Sequence, residues 1–208
     1  MKKFKSFLLL IVIATIYAFT SVNTFEIETS NGYKIDDIAT DFKLKNIDDT
    51  FVSLSDFPKA KGFIIIFTCN TCPVSKRNED RILALDKKYK DLGYPVIAIN
   101  PNNPAVQPGD SFALMKVRAK EKGFTFPYLF DDGQKIYPQY GASATPHTYI
   151  LQKEKEGLIV KYIGGIDDSS RNESAVKSKF VEDAVDALLA GKPIEVTKTR
   201  AIGCSIKA

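Results

Sequence analysis

Between Phe63 and Phe67 the chain runs through five consecutive apolar residues, three of them β-branched, and then breaks into Thr68-Cys69-Asn70-Thr71-Cys72-Pro73. A run of that kind predicts a central strand covered on both faces, because a strand with one wet face alternates apolar with polar residues instead. The proline predicts a helix start: its fixed φ suits the first helical position, and its missing N–H would have no partner there anyway. Beyond it Val74, Ile82, Leu85, Tyr89 and Leu92 keep helical spacing as far as Gly93, where a left-handed end is expected. The chain is thereby committed to a buried strand that passes directly into a long helix, with two thiols at the junction.

The same alternation continues along the chain. Pro95–Ile99 reads as the next buried strand, and Asn100–Asp110, rich in proline and asparagine, reads as a loop that can line a site at the strand ends. A helix follows over Ser111–Lys122, with Phe112, Met115 and Ala119 on one face, Asp110 as candidate cap and Gly123 as stop. Tyr128–Phe130 is strand-like and ends at the Asp131-Asp132-Gly133 turn. Next come a short helix around Ile136–Tyr140, a loop to Pro146 and a hairpin of His147–Leu151 with Leu158–Ile163. The last helix is expected over about Lys177–Ala190, with Val181, Ala184, Val185 and Leu188 inward. Ahead of all this, Phe51–Leu54 reads as an edge strand, and the weak alternation of Phe25, Ile27, Tyr33 and Ile35 within Ser21–Asp41 suggests a short hairpin. Strands alternating with helices, closed by a hairpin and a helix, predict an α/β three-layer sandwich with a mixed central sheet. The thiols then lie at the carboxyl end of a central strand, where such sheets place their ligands.

Residues 1–21 read as a signal peptide or N-terminal anchor: Lys2, Lys3 and Lys5 precede an apolar run from Phe7 to Phe19 that is short for a membrane span. The protein is therefore expected to be exported, and periplasmic, or anchored facing the periplasm, if its source is a Gram-negative bacterium. A membrane contact is expected only if that segment stays uncleaved. Without those three lysines the chain carries 26 basic against 25 acidic residues, which gives no argument for a nucleic-acid partner. The 187 residues beyond residue 21 suffice for one domain, expected over 22–193, followed by a tail of 194–208 that carries Cys204.

Two thiols at a strand-to-helix turn are the signature of a dithiol redox site. With Cys69 at the helix N-terminus, unpaired N–H groups and the macrodipole would hold it as a thiolate, and Cys72, one turn along the same face, would reach back to resolve a mixed disulfide. On that geometry Cys69 is the nucleophile and Cys72 the resolving thiol. Lys76 and Arg77 are close enough to lower the thiol pKa, whereas Arg81 belongs to the solvated face. A structural zinc site needs four ligands, and the chain offers only Cys204 and His147 in addition to the pair. A static disulfide across four residues would remove little unfolded-state entropy. Neither a metal nor an organic cofactor is expected.

The order of elements, Cys69-Asn70-Thr71-Cys72-Pro73 at the first long helix and Thr145-Pro146 before a hairpin strand resemble the thioredoxin fold. More closely, the chain resembles the peroxiredoxin-like redoxins grouped with alkyl hydroperoxide reductase and thiol-specific antioxidant proteins. The likeness runs from about Ile38 to the C-terminus and includes Val52–Phe57, Thr68–Val74, Phe130–Gly133, Tyr140-Gly141 and the terminal Ile202–Lys207. It implies that Pro146 is a cis proline facing the dithiol, with the preceding backbone docking an extended substrate segment. Thr68, Asn70, Thr71, Pro73 and Thr145 then line the site.

Two departures bear on the chemistry. Where peroxiredoxins resemble one another in a proline seven residues and a threonine or serine three residues before the reactive cysteine, this chain has Gly62 and Ile66. An aliphatic side chain cannot donate to a peroxide oxygen. Where thioredoxins carry a buried acid six residues before the first cysteine, it has Phe63, and water or Asp132 stand as candidates for the base. The reading that follows is a thiol:disulfide oxidoreductase that exchanges electrons with disulfide-containing or dithiol proteins and is reset by a redox partner. Two alternatives stay open: an antioxidant that reduces peroxides, and a copper chaperone binding Cu(I) through Cys69, Cys72 and His147. Cys204, the odd cysteine, is a candidate third redox thiol, in a tail that need not be packed. Plain solvent exposure is the simpler expectation for His147.

Overall fold

The computed structural model describes residues 32–208. The expected export segment and the first part of the expected hairpin lie outside the described residues. In chain order, β1 (Ile38–Ala39), β2 (Lys43–Asn46) and β3 (Phe51–Ser53) precede β4 (Gly62–Phe67), which feeds helix α1 (Pro73–Tyr89). Then come β5 (Val96–Asn100), α2 (Phe112–Lys122), β6 (Tyr128–Phe130), the short α3 (Ile136–Tyr140) and the two-residue β7 (Ala144–Thr145). The hairpin of β8 (His147–Lys153) and β9 (Leu158–Gly164), helix α4 (Phe180–Leu189) and β10 (Cys204–Ser205) complete it.

Every residue of β4 is buried, and the strand period of two divides its side chains between two cores. Ile64 and Ile66 join Ile82 and Leu85 of α1, Met115 of α2 and Val181 of α4. Phe63, Ile65 and Phe67 face the other way, onto Leu54 and Tyr140 of α3. Each fully buried isoleucine contributes about 1.5–3 kcal/mol. β4 lies parallel to β5 and antiparallel to β8. The mixed eight-stranded sheet has the order β1-β9-β8-β4-β5-β6-β2-β3.

The described part of the chain N-terminal to β2 forms no hairpin of its own: β1 pairs instead with β9, Ile38 opposite Ile159. Strand β2 carried no usable signal, since Lys-Leu-Lys-Asn offers one apolar residue, and it seats against β6 through buried Asn46. Helix α1 finishes in a 3₁₀ turn, Lys90–Leu92, before Gly93 at φ +98°. That tighter turn rotates Leu92 off the inward face and leaves it 46% exposed. Helix α4 starts three residues later than expected, because the Lys177 N–H donates to Asp168 and the Ser178 carbonyl accepts from the Asp168 N–H. The segment after α4 is packed. The Ile163 N–H donates to the Thr197 carbonyl at 3.0 Å, and the Thr199 N–H donates back to the Ile163 carbonyl at 3.0 Å.

Candidate active site

The site forms where β4 ends. The Thr68 N–H still donates to the Ile99 carbonyl at 2.8 Å, so the ladder with β5 carries the chain to the edge of the sheet before Cys69. Cys69, Cys72 and Cys204 are all free thiols, the first two buried at 3% exposure. The chain between them is extended at Cys72, the N-cap residue of α1 (φ −66°, ψ 122°), and Pro73 opens the helix. The expectation that Cys69 occupies the helix N-terminus is therefore corrected. Because the helix begins only after Cys72, the two thiols do not lie one turn apart on a helix face, and the electrostatic advantage of the helix end falls to Cys72.

Thr145 gathers the thiols. Its hydroxyl lies 3.3 Å from the Cys69 sulfur, and its carbonyl accepts from the Cys72 thiol at 3.1 Å. The peptide bond to Pro146 is cis, as the resemblance implied. Thr145 is also the Cα partner of Cys204, through the antiparallel pairing of β10 with β7. Four residues of the site, Cys69, Cys72, Thr145 and Cys204, thus come from three distant stretches of chain.

The charge distribution follows from these contacts. Each thiol of the pair is the largest influence on the other: the contact between the Cys69 and Cys72 side chains stabilises the first thiolate against the cost of burial, and the side chain and N–H of Cys204 and the N–H of Ser75 add to this on the Cys72 side. After that mutual contact, burial and the negative charge of Asp110 oppose ionisation of Cys69, and the Thr145 hydroxyl favours it. Cys204 is pushed up, first by burial and then by the side chain of Cys72. The two thiols therefore titrate as a pair, and in the geometry of the structure Cys72 holds the proton that it donates to the Thr145 carbonyl. Lys76 and Arg77 are not among the main influences on either thiol. Arg81, expected on a wet face, is buried in a 2.7 Å ion pair with Asp167, while Arg77 reaches the Ser170 carbonyl.

Asp110 is the residue that sequence reasoning misplaced. Ser111 takes the N-cap of α2, and Asp110 turns inward, fully buried, to hold the loop between the cysteines. One carboxylate oxygen accepts from the N–H groups of Asn70 and Thr71 at 2.8 and 3.0 Å, the other from the Thr71 hydroxyl at 2.8 Å and the Asn102 amide at 2.6 Å. Asn70 is fixed further by the Tyr128 hydroxyl, which donates to its side-chain oxygen at 3.0 Å. The loop after β5 does line the site, while Asp132, proposed from the sequence as a base, is exposed in its turn. A proline-rich loop after a parallel strand, ending in an acid just ahead of a helix that another residue caps, was the available signal.

His147 does not join the cysteines. It pairs with Phe67 of β4, lies tilted against Tyr149 with ring centroids 4.8 Å apart and accepts the Ser143 N–H on Nδ1 at 3.3 Å. It is buried rather than solvent-facing, and desolvation, followed by the charge of Lys198, lowers its pKa to about 4. Its ring lines a cavity of about 490 Å³ bounded by Tyr33, Tyr149 and Lys198. Among the described residues, no group of three or more His, Cys, Asp or Glu side chains is arranged to hold a metal ion, so the copper reading gains no ligand set. Gly62 and Ile66 lie inside β4, so no hydroxyl projects from either position.

Against known proteins, a family model described as the AhpC/TSA family matches residues 35–162. The chain is 23% identical over 165 residues to thiol-disulfide oxidoreductase ResA of Halalkalibacterium halodurans, covering 79% of this chain and 88% of that one. Among solved structures it is 36% identical to an uncharacterised conserved protein from Geobacillus kaustophilus, covering 86% of this chain and 94% of that chain at a TM-score of 0.78. The exposed lipoprotein thioredoxin Etrx1 of Streptococcus pneumoniae TIGR4 shares the fold at 22% identity and a TM-score of 0.52, over 73% of this chain and 99% of that one. On its scaffold of thioredoxin fold, this chain belongs to the AhpC/TSA family.

Proposed function

We propose that the protein is a thiol:disulfide oxidoreductase working through Cys69 and Cys72. The observation that carries this is the meeting of both thiols on Thr145, at the cis bond to Pro146. The Cys69 thiolate, beside the Thr145 hydroxyl, attacks a disulfide of a protein substrate, forming a mixed disulfide and releasing one substrate thiol. Cys72 then attacks the Cys69 sulfur and frees the second, leaving a Cys69–Cys72 disulfide for a separate redox partner to reduce. Run in reverse, the same steps deliver a disulfide. Thr145 and Pro146 orient the pair, and Asp110 fixes the intervening loop through Asn70 and Thr71. The relative named thiol-disulfide oxidoreductase supports this reading, and Ile66 in place of a hydroxyl donor argues against efficient peroxide reduction.

The site works outside the cytosol on this reading, for which the basic and apolar character of residues 1–21 and the likeness to a lipoprotein thioredoxin speak. The test is the reduction potential of the pair, read by mass-resolved thiol trapping in graded thiol buffers. A value near about −270 mV identifies a reductant and one near about −120 mV a disulfide donor. A pair that forms no disulfide at any poise would refute the proposal.

A further inference from the structure

The C-terminal strand behaves as a bound cysteine-containing peptide. β10 pairs antiparallel with β7, Cys204 opposite Thr145 and Ser205 opposite Ala144, so that backbone hydrogen bonds, the general means by which an extended segment is captured at a strand edge, hold it in register. The approach requires Gly203: a Cβ there would stand 2.2 Å from the Thr145 carbonyl oxygen and 3.1 Å from the Pro146 nitrogen. Further along, the Lys207 N–H donates to the Asn102 side-chain oxygen at 2.8 Å. The Lys207 carbonyl accepts from the Asn103 N–H at 2.8 Å and from the Gln134 amide at 2.9 Å. Asn102 also donates to Asp110, so the clamp on the tail and the clamp on the loop between Cys69 and Cys72 share one side chain.

The two cysteines of the pair meet Thr145 differently. Cys72 donates to its carbonyl, part of the backbone that β10 lies along, whereas Cys69 contacts its hydroxyl. Directly opposed residues of antiparallel strands have Cα atoms about 4.5–5.5 Å apart, which brings Cys204 to the thiol that uses the Thr145 backbone. We propose that β10 is a built-in substrate strand and Cys204 a third redox thiol that exchanges with Cys72, on the same edge that a protein substrate must occupy. The proposal rests on the dithiol reading above and specifies how its docking edge is filled.

The exchange is isoelectronic. In the oxidised protein the Cys204 sulfur, having lost its proton, attacks the Cys72 sulfur. A Cys72–Cys204 bond forms and the Cys69–Cys72 bond breaks. Its electron pair goes to the Cys69 sulfur, which takes up a proton. One disulfide and one thiol stand on each side, and no outside oxidant or reductant enters. A protein substrate docking on β7 has to displace β10, so a Cys72–Cys204 disulfide is the closed form of the site.

The test uses the full chain equilibrated in glutathione buffers, acid-quenched, alkylated and digested with trypsin. Cys69 and Cys72 fall on Gly62–Lys76 and Cys204 on Ala201–Lys207, so the two disulfides separate by mass. The wild type is expected to give both the internal Gly62–Lys76 disulfide and the cross-linked peptide pair, and Cys69→Ser the cross-linked pair alone. Gly203→Val is expected to lower the cross-linked pair about tenfold while sparing Cys69–Cys72, a shift equivalent to about 30 mV for a two-electron couple. A folded Cys69→Ser protein that takes glutathione onto Cys72 but gives no cross-linked pair would overturn the proposal. So would a cross-link yield that Gly203→Val leaves unchanged. A wild type that gives the cross-linked pair but never Cys69–Cys72 would instead refute the dithiol reading alone.

Discussion

Among the described residues no cation pairs with the buried Asp110, and its four donors define what a neutral replacement does. In Asp110→Asn the remaining oxygen can keep the N–H groups of Asn70 and Thr71, but the new NH₂ group then faces the NH₂ of Asn102, which approaches the native carboxylate at 2.6 Å. Turning the Asn102 amide over does not relieve this, because its oxygen already accepts the Lys207 N–H at 2.8 Å. One buried donor is left unsatisfied either way, at about 1–3 kcal/mol, and two backbone bonds pass from a charged to a neutral acceptor, losing about 1 kcal/mol each. The lower desolvation cost of the amide offsets part of the sum, leaving a net loss of about 2–4 kcal/mol. For a domain of this size each kcal/mol lowers Tm by about 2–4 °C, so Asp110→Asn should melt about 5–15 °C below wild type. Calorimetry of the reduced proteins checks this, with Asp132→Asn as the exposed control expected to leave Tm unchanged. Hydrogen exchange at Lys207 should accelerate in the same variant, since the strained Asn102 also clamps the tail. A Tm within about 1 °C of wild type, or a loss matched by Asp132→Asn, would refute the caging argument.

Burial holds His147 at a pKa of about 4, below its ordinary 6.5, so the associated stability is complete above about pH 6.5 and is lost as pH falls through 4. The stability of wild type relative to His147→Gln should therefore fall by about 3 kcal/mol between pH 7 and pH 4, and denaturant titrations showing a constant gap would contradict it. In Thr145→Val the hydroxyl beside Cys69 disappears, and with it a contact that favours the Cys69 thiolate. Alkylation of Cys69 should slow about two- to tenfold, the kinetic equivalent of about 0.5–1.4 kcal/mol, with Cys72 unaffected. Residue-resolved iodoacetamide kinetics read both rates.

What was legible in the sequence is what local patterning encodes. The unbroken apolar run fixed β4 as the two-faced centre of the sheet, and the spacing after Pro73 and after Ser111 located both long helices, because 3.6-residue periodicity survives in any amphipathic helix. Of the shortest strands, β3 and β6 showed as apolar runs, but β1, β2 and β7 were not legible, since they bury too few side chains to leave a pattern and their existence depends on the strands they join. The chemistry at Cys69 and Cys72 was legible as a motif, yet not where α1 begins relative to them. An Asn-Thr pair between two cysteines leaves the backbone free to begin the helix before or after Cys72.

The position of Cys204 was illegible for a different reason. A tail carries no statement of its partner when that partner is the two-residue β7 near the middle of the chain, whose own pairing depends on the tail in return. The one local trace is in the residues themselves. Cys204 and Ile206 alternate with Gly203 and Ser205, a period of two that suits a strand with one face inward, and Ile206 does pack into the core on the Phe67 side of the sheet. Gly203 weakens any strand in isolation, so its presence beside the cysteine makes sense only if another backbone comes too close for a Cβ. The Thr145 carbonyl is that backbone, and it is also the acceptor of the Cys72 thiol. A free, solvated tail would place no such demand on residue 203, whereas a strand that must deliver a sulfur to Cys72 along the Thr145 backbone requires glycine there.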